Sequence, residues 1–378
     1  MKPLFAITAC LIVFCSLVIT QAQTQTAQPA SNSPVAYIYV SSGSTNSYTI
    51  EAYAAAANGA LSRIPGSPFA TDSVTALAVK PQWLFGANGI YIYSFFIAPN
   101  GALQQKSSIN AQQYNGYADG GPVTLFLDRT AATLYDLDIY GNNAANNTYQ
   151  FFTMNSDGAL NYISATTSAS PEFMTALSFI GTNKYGYGSS NYHGYQNIYG
   201  FARGSDGSLT DLNLNAPIPA APKGAYGPFL AAADDANHVA VSFTPTDDLT
   251  VVGPTQLAVY SADASGNLTT TNTWQTMPIS AVGAYDMKIS PSGKLLAVGG
   301  PAGLQIFHFN GGDPITKFTG PLNADSIGEV CWDSSNHLYA IGGSGKLYVF
   351  NVTPTSVRPA PGSPYSVPNP WNVVALSK

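Results

Sequence analysis

The stretch Pro65–Val79, PGSPFATDSVTALAV, has a near twin at Pro361–Leu376, PGSPYSVPNPWNVVAL, and the second copy stops almost at the end of the chain. Each copy is a Pro-Gly turn that hands the chain to a run of small, β-branched and aromatic residues, the pattern of a loop feeding a strand. Two such connectors so far apart point to an internal repeat, and a repeat sets the architecture before any single element does.

A second marker confirms the period. NGAL occurs at Asn58 and Asn100, DGAL at Asp157, DGSL at Asp206 and GNL at Gly266, with weaker copies around Ile315 and Val357. Asn-Gly and Asp-Gly supply the positive φ of tight hairpin turns. Each marker sits in the same cycle of four short strands. AYDMKIS (Ala284–Ser290) is a first strand, KLLAVGG after Pro291-Ser292-Gly293 a second, GLQIFHFN a third, and a fourth follows GGDP. The next unit repeats the order as IGEVCWD, HLYAIGG and KLYVFNV. Four strands every 40 to 60 residues or so is the period of a propeller blade, and seven markers predict seven blades.

The twins now have a meaning. VAYIYVSS (Val35–Ser42) opens the folded chain as a second strand, and WNVVALS (Trp371–Ser377) ends it as a first strand lacking a second. The fold class predicted is therefore all-β: a seven-bladed β-propeller, four antiparallel strands per blade, closed by pairing of the C-terminal strand with the N-terminal one. Closure of this kind removes the free sheet edges of an open array. A pair of β-sandwiches would lack the fixed cycle; six or eight blades would require a misjudged long third or fifth unit.

Composition agrees. Charged residues make up 9% of the chain, the net charge is −6, and there are 23 Tyr and 18 Phe. No basic stripe marks a nucleic-acid binder. Residues 1–22, with Lys2, an apolar run from Leu4 to Ile19 and a Thr20-Gln21-Ala22 end, are predicted to be a signal peptide, removed on export. The run is short of the ~20 residues of a membrane span, which disfavours an uncleaved anchor. Lipid attachment at Cys10 is a minor alternative. Residues 23–33 read as a flexible leader and 34–378 as one propeller domain. Cys331 is then the one cysteine of the mature chain, so neither a disulfide nor a cysteine metal cluster is expected. The protein is expected in the periplasm or outside the cell, as a monomer, with no cofactor, no metal and no further membrane segment.

YIYVSSG, the recurring NGAL turn and IPGSPFA together resemble the seven-bladed propellers grouped with bacterial 6-phosphogluconolactonases and their exported relatives. The resemblance spans Val35–Ser377 and implies the propeller fold, with lactone hydrolysis as one activity. It assigns no catalytic residue, because no motif of that family maps onto this chain position by position; the chain has only four Arg and three Glu.

Candidate site residues follow from the fold. Inner strands line the channel, and the loops entering them converge on one face, the usual ligand face. Residues just before or early in inner strands are Asp72, Asp119, Glu172, Tyr226, Tyr285, Asp286, Lys288, Asp325, Glu329 and Trp371. Glu172 and Glu329 are the candidate catalytic carboxylates, with Lys288 or Lys223 to steady an anion. Glu329 lies among apolar neighbours, which would raise its pKa. Asp286 and Lys288, two apart, share one side of a strand and either hold a ligand or neutralise each other. His238 and His337 open equivalent second strands and read as structural, and Cys331 as an inert thiol. The SDG tripeptides at 156–158 and 205–207 are hairpin turns; TDDLT at 246–250 is the best acidic spot for a weak cation. Finally, the Tyr-rich segment 181–200 leaves the repeat pattern, and Tyr185, Tyr187, Tyr192 and Tyr195 are candidates for surface contact with a protein or glycan of the cell envelope. Two functions are carried forward, a binding module and a lactone hydrolase.

Overall fold

The computed structural model describes residues 33–378 except 45–46, 116–122, 139–147, 168–175, 193–194, 223 and 247–251. The signal segment and the leader through residue 32 lie outside the described residues, as do Asp119, Glu172, Lys223, His193 and most of TDDLT.

The strands form seven antiparallel sheets, six with their strands in chain order from the channel outward and one begun by the last strand of the chain. The inner strands are Pro370–Ser377 (blade 1), Ala76–Lys80 (blade 2), Val123–Leu127 (blade 3), Ser178–Phe179 (blade 4), Tyr226–Ala233 (blade 5), Asp286–Ile289 (blade 6) and Ile327–Trp332 (blade 7). Blade 1 is the composite one. Its second strand, Ala36–Ser44, pairs with Pro370–Ser377 from Ala36↔Ser377 to Ser42↔Pro370, with one bulge at Ser41/Ser42.

The twin stretches are equivalent connectors. In the first, the Ser67 hydroxyl accepts the Ala52 amide at 2.8 Å, and in the second Ser363 accepts the Val349 amide at 2.8 Å. Gly66 and Gly362 both take positive φ, +89° and +82°. Each connector then pairs briefly with the third strand of the blade it is leaving, Ile50↔Phe69 and Leu347↔Tyr365. Asn272 and Thr319 capture the third-strand amides of Val259 and Ile306 in the same manner.

The hydrophobic core is divided into seven clusters, one between each pair of adjacent blades. Because side chains alternate across a strand, Tyr37 and Tyr39 face blade 2 with Leu77 and Leu84, while Ile38 and Val40 face blade 7 with Tyr339 and Leu347. Both faces of every sheet are covered, which is why central strands such as Leu295–Gly300 are buried throughout.

The NGAL marker is explained by this packing. In blades 2 to 5 the third-to-fourth-strand turn leans on the second strand of the preceding blade. Tyr39 donates to the Gly101 carbonyl at 2.9 Å, Tyr135 to Gly207 at 2.8 Å and Tyr187 to Gly266 at 2.9 Å. A Cβ on Gly158 would collide with the Trp83 ring, and one on Gly207 with Thr133. The turn glycines thus serve both a positive φ and the close approach of the neighbouring blade.

Two expectations are corrected here. The Tyr-rich segment does not leave the repeat: Tyr185–Tyr192 and Tyr195–Arg203 are the second and third strands of blade 4. Tyr187, assigned to surface contact, is fully buried, and the half-buried Tyr185 spends its hydroxyl on the Ala264 carbonyl at 3.0 Å. Tyr192 and Tyr195 are register partners at the hairpin end of the two strands.

Candidate functional site

The channel has two mouths. At one, inner strands begin; at the other they end and turn into second strands. The sequence points to the first, but the cavity lies toward the second. It measures about 550 Å³ and is lined by all seven inner strands, through residues such as Val79, Leu127, Phe179, Ala233, Ile289 and Val374.

The described residues assigned to that first mouth are spent within their own blades or exposed. Tyr226 is buried, its hydroxyl donating to the Pro254 carbonyl at 3.1 Å. Asp325 accepts hydrogen bonds from the Ser344 hydroxyl, the Ser344 amide at 3.2 Å and the Tyr348 hydroxyl at 3.2 Å, all within its own blade. Asp72 is exposed. Tyr285 and Trp371 are exposed too, with the Trp371 indole N–H on the Gly43 carbonyl at 3.2 Å.

Three other candidates do meet, on the channel wall formed by blades 6 and 7. Asp286 Oδ1 accepts from Lys288 Nζ at 2.5 Å and from the Met287 amide at 2.8 Å, and its Oδ2 accepts the Val330 amide across the blade junction at 2.9 Å. The carboxylate is therefore held by both blades, while the Lys288 side chain stays 48% exposed toward the cavity. Glu329 lines the same cavity. Burial and then the Asp286 charge push its carboxyl well up from the usual range, and Lys288 only partly opposes them. For Lys288, burial lowers the pKa but Asp286 and Glu329 more than offset it, so the ammonium is firmed up. Cys331, beside them, has its thiol pushed well up by burial and by Asp333, as expected of an inert thiol. The Trp332 indole N–H caps the Lys288 carbonyl at 3.1 Å.

Sequence reasoning missed the second charged group of this cavity. Lys80 ends the inner strand of blade 2, and its Nζ donates to the Ala131 carbonyl of blade 3 at 2.7 Å. Arg129, in the turn after the inner strand of blade 3, clamps three blades. It donates to the carbonyls of Phe179 (2.5 Å), Ala233 (2.7 Å) and Asp234 (2.6 Å) and pairs with Asp235. Lys80 carries one local signal, its place at the end of a first strand, whereas the partners of Arg129 lie far off in sequence.

His238 and His337 hold equivalent places in their blades. His238 Nδ1 meets Asp234 Oδ2 and His337 Nδ1 meets Asp333 Oδ2, both at 2.7 Å, inside first-to-second-strand turns. Among the described residues no cluster of three or more His, Cys, Asp or Glu could hold a metal ion, and no helix is long and apolar enough to cross a membrane.

Against this geometry, neither a family model nor a curated protein matches the chain. Solved structures do. A Bacteroides uniformis protein provisionally named a 6-phosphogluconolactonase aligns with TM-score 0.68 and 14% identity, over 90% of this chain and 99% of its own. The periplasmic gluconolactonase PpgL of Pseudomonas aeruginosa aligns with TM-score 0.63 and 16% identity, over 90% and 99%. The chain shares the fold of two propellers named as lactonases. A Lactobacillus plantarum protein shares it more loosely, with TM-score 0.51 and 17% identity, over 90% and 85%. At such identities the likeness shows the fold alone, since propellers carry many activities on one frame.

Proposed function

We propose that this chain is an exported propeller that binds a small hydroxylated ligand, a lactone or the matching hydroxy acid, in the channel cavity. The observation that carries the reading is the Asp286–Lys288–Glu329 cluster on the cavity wall. It presents a cation and a carboxyl whose pKa is raised by burial to one space, set among apolar walls as small-molecule sites are. Export rests on the signal-like segment 1–22 and is tested by fractionating cells that express the full chain.

A second reading, hydrolysis of the lactone, is favoured by the same cluster and by the names of the two fold neighbours. Water would add to the ring carbonyl, Lys288 would steady the oxygen as it gains charge, Glu329 would give its proton to the ring oxygen as the C–O bond opens to a hydroxy acid, and the proton shed by the added water would restore Glu329. The raised pKa suits Glu329 to proton donation rather than to the role of base. Glu172, the other candidate base, lies outside the described residues.

Calorimetry with a panel of sugar and aliphatic lactones and hydroxy acids tests binding, and a pH-stat on the lactones tests hydrolysis. Binding that Lys288→Met weakens supports the first reading. Turnover that Glu329→Gln and Lys288→Met both lower supports the second. Silence across the panel, or binding untouched by Lys288→Met, overturns the channel site.

A further inference from the structure

Three carboxylates near the turn mouth, Asp128, Asp235 and Asp286, are occupied. Asp128 pairs with Arg203 and accepts the Thr130 hydroxyl at 3.0 Å and the Ala132 amide at 2.9 Å. Asp235 pairs with Arg129, and Asp286 with Lys288 and the Val330 amide. Among the described residues no carboxylate lies within ion-pair distance of Lys80, although it lines the cavity. One carbonyl, that of Ala131, accepts from its ammonium. Burial lowers its pKa, and the charge of Asp128 offsets this only in part.

We infer that the cavity takes a hydroxylated carboxylate whose anionic end is received by Lys80. This rests on the channel-binding reading and adds the charge of the ligand to it. A neutral sugar would leave the Lys80 charge uncompensated. A phosphate ester calls for more donors, typically guanidinium forks or clustered amides. Arg129, a guanidinium that lines the same cavity, already spends its donors on three carbonyls and Asp235. A single carboxylate matches one ammonium.

Glucose, glucuronate and glucose 6-phosphate differ at one carbon and make a matched test by calorimetry on the folded protein. Glucuronate is expected to bind about ten-fold or more tightly than glucose, the effect of one charge-assisted hydrogen bond, and added salt should weaken it. Lys80→Met should erase that advantage and Lys80→Arg should keep most of it, with circular dichroism confirming the fold of both. Equal binding of glucose and glucuronate, or a glucuronate affinity indifferent to Lys80→Met, overturns the inference and leaves the channel-binding reading standing. Tighter binding of the phosphate overturns the choice of carboxylate. No binding by any of the three, with no binding in the lactone and hydroxy-acid panel, overturns both readings together.

Discussion

Ala36 and Ser377 face each other across one antiparallel ladder, so nearly the two ends of the folded chain lie in one sheet. The pairing continues one residue further, with the Lys378 amide on the Val35 carbonyl at 2.9 Å. Val373 from the last strand is buried in the cluster between blades 7 and 1.

Deleting residues 370–378 should therefore do more than trim an end. It strips blade 1 of its inner strand and exposes the sheet edge of Ala36–Ser44. The expected result is loss of a single cooperative melt by circular dichroism. Val373→Ala should retain the melt and cost about 1 to 2 kcal/mol.

The inter-blade turns separate two effects of glycine. Gly158 and Gly293 both have positive φ, +88° and +64°, but a Cβ on Gly158 would enter the Trp83 ring while one on Gly293 meets nothing within 4 Å. Gly293→Ala should cost about 1 kcal/mol, the strain of the left-handed conformation. Gly158→Ala should cost clearly more, by chemical denaturation, because the neighbouring blade must shift as well. Equal costs would refute the packing role of the turn.

Asp333 is fully buried and accepts the Ser335 and His337 amides, the His337 ring and the Tyr339 hydroxyl. Asp333→Ala leaves four donors without their acceptor and should destabilise by about 3 kcal/mol or more. Tyr39→Phe removes one buried hydroxyl from the Gly101 carbonyl and should cost only about 1 kcal/mol. Denaturant midpoints of the two variants check the ranking.

Glu329 sets a pH dependence of known sign. Its folded pKa lies above the unfolded value of about 4.3. Below that unfolded value both states hold the proton and stability is unaffected. As pH rises from there through the folded pKa, the unfolded state releases its proton first, so stability falls. Glu329→Gln should be more stable than the parent at neutral pH and equal to it near pH ~4. Melting temperatures of both proteins across that range decide it. A parent curve parallel to that of Glu329→Gln would show that the carboxyl titrates normally.

Much of this was legible before any coordinates. The repeated PGSP connectors, the Asn-Gly and Asp-Gly turns and the orphan second strand at Val35 gave blade count and closure, because each is a local backbone requirement. The pairing of Asp286 with Lys288 was legible from their spacing on one strand. Arg129 was not, because its partners at Phe179, Ala233 and Asp235 come from blades 4 and 5. Tyr187 was misjudged because a Tyr-Gly-rich run resembles a surface loop when the neighbouring Gly266 turn that buries it is unseen.

From the sequence alone came the all-β class, the four-strand cycle and the ring of seven, since turns and strand alternation are properties of neighbours along the chain. Only the tertiary structure decided which mouth of the channel holds the cavity, and that Lys80, Lys288 and Glu329 share it. Those residues come from blades 2, 6 and 7, and the ring brings them to one space through packing that no short stretch of sequence encodes.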